Sequence, residues 1–237
     1  MKKHFIVIAI ILLIVSITLF FTHSEFEDRI KEIDNTLAAI ETKNDSEIKI
    51  VEELKTSYKN NEVVGLLEIP NESYKAIVTQ AKDNDFYLNH DAYKNKNRNG
   101  NPFLDYRVDI NTDKKILIYG HNSRYVDMPF KVLENYYDRD YFENHKYIKL
   151  KTDEKENTYE IFSVYVETSD WSYMKIDFKN DEDWNEHFQK LKNNSIYETG
   201  VSVNKNDQIL ILQTCSTKKE FRKYKKKFLL IISRRVD

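Results

Sequence analysis

The sequence predicts a mostly β fold with some α-helix: a mixed, mainly antiparallel β-barrel with N-terminal helices and a long helix before the cysteine strand, preceded by one transmembrane helix. Three observations favour this fold. Short apolar, β-branched runs recur from about residue 62 onward. An uncharged apolar stretch lies close to the N-terminus. A helix-like apolar pattern precedes the run that contains the single cysteine, Cys215.

The N-terminal apolar stretch predicts a membrane anchor. Residues 5–22 carry no charge, and a helix of this length spans roughly 27 Å, enough for a hydrocarbon core. No A-x-A cleavage site ends the stretch, so we interpret it as an uncleaved signal anchor. The two lysines in residues 1–4 indicate a cytoplasmic N-terminus, with everything after the anchor outside the cell membrane.

Residues 24–61 are predicted to form a helical stalk. Ser24 and Glu27 have the spacing of a capping box, and residues 44–46 break the pattern and can cap a second helix. The apolar stripes of the two helices are Phe26, Ile30, Ile33, Leu37 and Ile40, then Ile50, Val51, Leu54 and Tyr58. These helices either pack onto the body or form a coiled-coil dimer. Two heptads are too few to favour dimerisation.

Residues 62–237 are predicted to form the β-barrel. Its strands are expected at residues 63–69, 74–80, 101–107, 115–119, 146–151, 157–167, 208–214 and 227–234. Helix-like spacing is found over residues 130–145 and 181–197. The chain has only 4 Gly and 3 Pro, so its loops are mainly rich in Asn, Asp and Lys.

Composition and motif searches exclude several classes of function. The net charge is −2, with no strong field that would favour a nucleic-acid partner. A single cysteine precludes an internal disulfide. The sequence has no C-x-x-C or H-E-x-x-H spacing for a metal, no glycine loop for phosphate, and no G-x-S-x-G. We therefore expect neither a metal nor a cofactor.

Cys215 stands where an apolar run, residues 209–212, gives way to a polar and basic loop. A thiol at a strand end beside cations is well placed to be ionised and accessible. The alternative interpretation is a small buried hydrophobic residue, which is common for a free cysteine.

His121 is the histidine best placed to act with Cys215. It follows the predicted strand 115–119, and Gly120 lets the backbone turn there. A cysteine nucleophile needs a nearby base or cation, and a histidine at the end of another strand can provide it. Three others, His90, His145 and His187, are expected in exposed polar stretches.

Two motifs around these residues resemble those of sortases. The run Ile211-Leu212-Gln213-Thr214-Cys215 is close to the T-L-x-T-C signature, with Ile in place of the first Thr. The run Tyr119-Gly120-His121-Asn122 resembles the G-H motif of the family. The order of anchor, stalk, histidine and cysteine also agrees. The N-terminal helices and the helix at 181–197 resemble those of class B sortases.

This resemblance implies a sortase-like barrel and a cysteine transpeptidase on the outer face of a Gram-positive cell membrane. Cys215 would be the nucleophile and His121 the general acid. The family also uses an arginine near the start of the last strand, which implies a role for Arg222, the first arginine after Cys215. Lys227 lies closer to the strand start and is the competing candidate for this cation.

The resemblance also implies the partners. Sorting-signal-bearing surface proteins would be cleaved, and the acceptor amine would come from a peptidoglycan precursor or from a pilin. Thr214, Trp171 and Tyr173 are candidate substrate contacts, although packing against the core is about as plausible for Trp171 and Tyr173. Alternative functions are a pilin-polymerising sortase, a membrane-tethered cysteine protease and a degenerate binding domain.

Overall fold

The computed structural model describes residues 2–41 and 50–236. Its α-helices are α1 (Lys2–Glu41), α2 (Ile50–Tyr58), α3 (Arg139–Asn144) and α4 (Asp181–Asn193). Its strands are β1 (Val63–Ile69), β2 (Tyr74–Thr79), β3 (Phe103–Leu104), β4 (Lys115–Tyr119), β5 (Tyr147–Lys151), β6 (Glu156–Glu167), β7 (Ile209–Cys215) and β8 (Phe228–Arg235).

The strands close into one barrel in the order β1-β2-β3-β4-β7-β8-β6-β5. Within the described part of the chain, the β2–β3 and β4–β7 pairs are parallel and the other pairs are antiparallel. The long helix α4 precedes the cysteine strand β7, and helices precede β1. The predicted fold class is therefore confirmed.

The central strands are buried on both faces. All five residues of β4 are buried, as are the first six of β7. Alternate residues point into the barrel, while the others, such as Ile211 and Leu117, pack beneath α4 through Trp184, Phe188 and Leu191. A strand covered on both sides reads as a continuous apolar run, which explains the patterns of these two segments.

The N-terminal helices pack onto the barrel. Ile33 and Leu37 of α1 join Val51 and Leu54 of α2 in a cluster that also includes Ile77 of β2. The helices therefore pack onto the body, which was the first of the two predicted alternatives. α1 is one continuous helix, so Ser24 lies within it and contacts Asp28 instead of capping a new helix. Residues 2–41 contain no Gly or Pro to interrupt it. The predicted break at 44–46 lies outside the described residues.

Two predicted elements differ from the structure in extent. Only Phe103–Leu104 of the stretch 101–107 pairs as a strand. The chain turns at Asp105, whose backbone and carboxylate oxygens accept hydrogen bonds from the backbone N–H groups of Val108 and Arg107. Residues 130–145 form a 3₁₀ helix, Lys131–Tyr137, followed by α3, because Asp138 caps α3 and separates the two.

Candidate active site

The parallel pairing of β4 and β7 brings His121 and Cys215 to one rim of the barrel. The register pairs Tyr119 with Gln213. His121 and Cys215 each lie two residues further along, so they leave neighbouring strands at equivalent positions. The sequence predicted that the two strand ends would meet, and the register provides the physical basis for that meeting.

Gly120 makes the close approach of these strand ends possible. Its N–H donates to the Gln213 carbonyl at 3.1 Å, and its own carbonyl accepts from the Thr214 hydroxyl at 2.8 Å. A Cβ on Gly120 would lie 2.5 Å from atoms of the buried Phe130 ring. The need for glycine is therefore steric. The predicted reason, a sharp turn of the backbone, does not apply, because positive φ occurs at Gly100 and Gly200 instead.

The imidazole of His121 is held by the neighbouring loop. Its Nε2 lies 2.7 Å from the Leu88 carbonyl oxygen. A carbonyl can only accept, so Nε2 carries a hydrogen in this arrangement and Nδ1 remains available for proton transfer. The His121 carbonyl accepts from the Phe130 N–H at 2.9 Å, which fixes the backbone of the histidine. Gly100, with φ +60°, lies close to the same edge of the ring, since a Cβ there would be 3.0 Å from Cδ2 of His121 and 2.9 Å from the Leu88 carbonyl oxygen.

Cys215 is a free cysteine and is exposed. Neighbouring atoms nevertheless shield the thiol from water, and this desolvation raises the pKa of Cys215, while the positive charge of Lys227 acts in the opposite direction. The site is accessible, as predicted, but the thiol is not held as a thiolate by the described residues. Ionisation of the thiol therefore needs a proton acceptor at the site.

Asn122 is a functional-site residue for which the sequence predicted no role. Its amide Nδ2 donates to the Cys215 carbonyl at 2.9 Å and so fastens the histidine loop to the cysteine strand. Its Oδ1 is buried and has no hydrogen-bond partner among the described residues. Its position directly after His121 was the feature of the sequence that could have indicated a role at the site.

The two candidate cations differ in their position relative to Cys215. Cys215 pairs with Phe228 across the β7–β8 hairpin, and the Ser216 N–H donates to the Lys227 carbonyl at 3.0 Å. Lys227 is thus directly beside the cysteine strand, close enough to act on the thiol. Arg222 lies at the end of the 3₁₀ helix Lys219–Phe221 in the connecting loop and is exposed.

Of the three predicted substrate contacts, Trp171 remains at the surface. It is half-buried, and its ring packs edge-on against Phe228, the partner of Cys215. Tyr173 is buried, and its hydroxyl donates to Oε1 of Gln213 at 3.0 Å. Thr214 is fully buried and bonded to Gly120. The side chains of the last two are engaged in packing and hydrogen bonds in this structure, and a contact of either one with substrate stays a prediction.

The expectation that His187 is exposed was wrong. It is buried on α4, where its Nε2 lies 2.9 Å from Nζ of the buried Lys115. Lys115 Nζ also donates to the carbonyls of Tyr173 and Lys175, so its three hydrogens are all engaged. This cluster secures the segment that carries Trp171. His90 and His145 are half-buried and each contacts the backbone carbonyl four residues earlier.

A second buried cluster supports β4 near His121. The Asp105 carboxylate is fully buried, forms a bidentate pair with Arg107 at 2.7 and 2.8 Å, and accepts from the Tyr119 hydroxyl at 2.7 Å. Burial acts to raise the pKa of Asp105, but the Arg107 hydrogen bonds outweigh it and lower that pKa. Arg107 also donates to the Met174 carbonyl, which ties the Trp171 segment to the same cluster.

Comparisons with known proteins agree with this geometry. Residues 67–234 match the Sortase domain family. Sortase B of Listeria monocytogenes is 36% identical over 165 residues, which cover 69% of this chain and 67% of that protein. The X-ray structure of Clostridium perfringens sortase B superposes with a TM-score of 0.70 at 30% identity, over 78% of this chain and 99% of that one.

A further similar structure is described as a Staphylococcus aureus sortase B–substrate complex. It has a TM-score of 0.78 and 25% identity, and the match covers 90% of this chain and 98% of that one. These similarities include the strands that carry His121 and Cys215.

Proposed function

The chain belongs to the sortase family, as a class B type transpeptidase, and from this we propose that it is a membrane-anchored enzyme that cleaves a C-terminal sorting signal of surface proteins and joins the new C-terminus to an amine of the cell wall. The observation that carries the proposal is the equivalent placement of His121 and Cys215 at the ends of paired parallel strands. The similar S. aureus structure, a sortase B–substrate complex, supports substrate binding by a barrel of this kind.

In the first half of the reaction the Cys215 thiolate attacks a backbone carbonyl of the sorting signal. The new S–C bond gives a tetrahedral oxyanion, which collapses as the C–N bond breaks. His121 donates a proton to the leaving amine, and a thioester remains on Cys215. In the second half an acceptor amine attacks the thioester, loses a proton to His121, and releases the thiol with a new amide bond.

The raised pKa of the thiol defines the task of His121. An isolated Cys215 is mostly protonated at neutral pH. An imidazole whose Nδ1 is available can remove the thiol proton when substrate excludes water, and the resulting imidazolium is the acid needed for the leaving amine. One histidine thus serves both steps.

The oxyanion needs a positive or N–H donor close to the thiol. Arg222, the residue predicted from the sequence, has the more suitable head group. Lys227 has the more suitable position, because it adjoins the partner of Cys215 in the hairpin and its charge acts on the thiol. We assign the stabilising role to Lys227 and keep Arg222 as the alternative that the experiment compares.

Trapping of the acyl-enzyme tests this function. The full chain is incubated with a library of sorting-signal peptides, and the thioester is detected by intact mass spectrometry. We expect an adduct that Cys215→Ala abolishes and that His121→Ala slows by orders of magnitude, while His145→Ala serves as the matched histidine control. An adduct that persists in Cys215→Ala would rule out Cys215 as the nucleophile.

The fate of the thioester separates the alternative activities. A glycine-bearing or lysine-bearing amine is supplied in excess. Ligated product supports transpeptidation, and the preferred amine separates wall anchoring from pilin polymerisation. Hydrolysis alone would indicate a membrane-tethered protease, and the absence of any thioester would indicate a degenerate binding domain.

The anchor is proposed on α1. By length and composition, α1 can cross a membrane, and we place the anchor at its uncharged residues 5–22. We propose a single pass, with residues 1–4 in the cytoplasm and the barrel outside. Protease added to intact protoplasts should remove the barrel but leave the N-terminus protected. Complete protection of the barrel would indicate the opposite orientation, with the barrel in the cytoplasm.

A further inference from the structure

The loop between β7 and β8 contains a dense cluster of positive charge. Residues 218–227, here called the basic loop, include seven Lys or Arg and one Glu in ten positions. The whole chain has a net charge of −2, so the rest of the protein is acidic. Like charges so close together repel one another, and an anionic partner would relieve this repulsion.

Apart from Lys227 beside Cys215, the cations of the basic loop are largely exposed to solvent. Arg222, Lys223, Lys225 and Lys226 are exposed. No cation of the basic loop forms an ion pair with any residue that the structure describes. Three lysines lie over aromatic rings instead, and one of these, Lys226, covers Trp171 at 5.7 Å. The positive surface is therefore available to an anionic partner next to the candidate active site.

The continuous helix α1 fixes how the barrel sits relative to the proposed anchor. No loop separates residues 5–22 from the part of α1 that docks on the barrel. Docking begins just beyond the anchor: Asn97 donates to Glu25, and Lys75 pairs with Asp34 at 2.7 Å. Ile33 and Leu37 are buried against the body. The barrel is thus fixed close to the membrane surface and is not carried on a flexible tether.

The active-site rim faces this surface. His23, the first residue after the proposed anchor, contacts the Asp127 carboxylate at 2.8 Å. Asp127 lies in the loop that follows His121, and it also pairs with Lys131 at 2.5 Å. The rim of His121 therefore lies at the level where α1 leaves the bilayer.

The segment from Asp127 onward leads directly to the basic loop. One turn of 3₁₀ helix, ~6 Å, separates Lys131 from Glu134. The Glu134 carboxylate accepts from both the N–H and the hydroxyl of Thr217 at 2.6 Å. Lys218 lies 4.0 Å above the ring of Tyr137 in the same segment. The basic loop and the end of the anchor are thus fastened to one short piece of chain.

We propose that the basic loop binds anionic phospholipid headgroups of the membrane that holds the anchor. Clustered lysines and arginines close to a membrane-spanning helix are attracted to anionic lipid over about a Debye length. The contact would order the loop that follows Cys215 and hold the active-site rim along the membrane surface. This inference rests on the proposed anchor and goes beyond it.

Headgroup quenching of a fluorescent label tests the contact. The chain has one cysteine, so a Cys215→Ser background allows a bimane label at a single new cysteine. Glu220→Cys places the label in the basic loop without removing a cation. The matched control is Asn206→Cys, which is also exposed but precedes β7 at the opposite rim. Full-length protein is reconstituted in nanodiscs of phosphatidylcholine, with or without phosphatidylglycerol, containing a headgroup nitroxide lipid.

We expect at least twofold stronger quenching at position 220 than at 206, further increased by phosphatidylglycerol and reduced by salt. Lys223→Gln with Lys225→Gln should lower it. Lys114→Gln with Lys205→Gln, at the opposite rim, should not. Equal quenching at 220 and 206, or quenching at 220 that is indifferent to lipid charge, would overturn the proposal. Co-elution of the labelled chain with the nanodiscs reports on the anchor separately. A failure of the proposed anchor can therefore be distinguished from a failure of the loop to bind lipid.

Discussion

Substitution of Gly120 by alanine tests how the active-site rim is built. The added methyl carbon would lie 2.5 Å from Cγ and Cδ2 of Phe130 and 2.9 Å from its Cε2. Ordinary contacts between carbons are about 3.5–4 Å, so the ring or the strand end must move by about 1 Å. Phe130 is fully buried in the barrel core and has little room to move. We expect Gly120→Ala to lower the free energy of unfolding by about 2 kcal/mol.

The expected loss corresponds to a decrease in Tm of about 4–8 °C for a domain of this size. Thermal unfolding of the full chain in detergent, followed by tryptophan fluorescence, measures it. Because the Phe130 N–H holds the His121 carbonyl, formation of the acyl-enzyme should slow as well. Alkylation of Cys215 by iodoacetamide should change little and serves as the control for an intact cysteine strand.

A double-mutant cycle tests whether the clash with Phe130 causes the loss of stability. Phe130→Leu shortens the obstructing ring, so Gly120→Ala should cost at least about 1 kcal/mol less in that background than in the natural chain. The steric explanation would be refuted if Gly120→Ala alone changed the free energy of unfolding by less than about 0.5 kcal/mol, or if the two substitutions were simply additive.

Three further predictions concern titratable groups. Burial first, and then the charges of Lys115 and Lys175, lower the pKa of His187 from 6.5 to about 3. The unfolded chain therefore binds the extra proton first, and the free energy of unfolding should fall by about 1.4 kcal/mol per unit as pH decreases below about 6.5, a slope that His187→Gln removes in acid titrations. Lys227→Met should raise the pKa of Cys215, because it removes a positive charge beside the thiol, and Arg222→Met should not. The pH–rate profile for alkylation by iodoacetamide measures this as a shift to higher pH. The opposite result would indicate that Arg222 is the cation that acts on Cys215. Asp105→Asn removes the charge that Arg107 and Tyr119 donate to and should cost about 2–3 kcal/mol in chemical denaturation, and a loss below about 0.5 kcal/mol would contradict this account.

Much of the fold could be predicted because the signals are local. The apolar run that became β4 and the one that became β7 are short, β-branched and bounded by polar loops. Two motifs, one at the end of each run, were enough to suggest the family, which the matching Sortase domain confirmed. The burial of His187 could also have been found. It lies three residues after Trp184 and directly before Phe188, on the buried stripe of α4.

The extents of some elements could not be read from the sequence. The stretch 101–107 has strand-forming residues, but the Asp105 carboxylate turns the chain by binding the backbone of Arg107. That turn is stabilised by the hydroxyl of Tyr119, which belongs to another strand. Contacts between distant parts of the chain therefore outweighed the local preference for a strand.

The sequence alone predicted the barrel, the anchor-like segment and the two residues of the proposed chemistry, since composition and short motifs are properties of neighbouring residues. The tertiary structure determined which groups lie next to His121 and Cys215. The β7–β8 register brings Lys227 to the cysteine, and the packing of Phe130 restricts position 120 to glycine. The continuous α1 connects the anchor-like segment to the barrel and brings His23 to Asp127, in the loop that follows His121. These relations depend on strand register and three-dimensional packing, which join residues far apart in the chain and leave no local pattern in it.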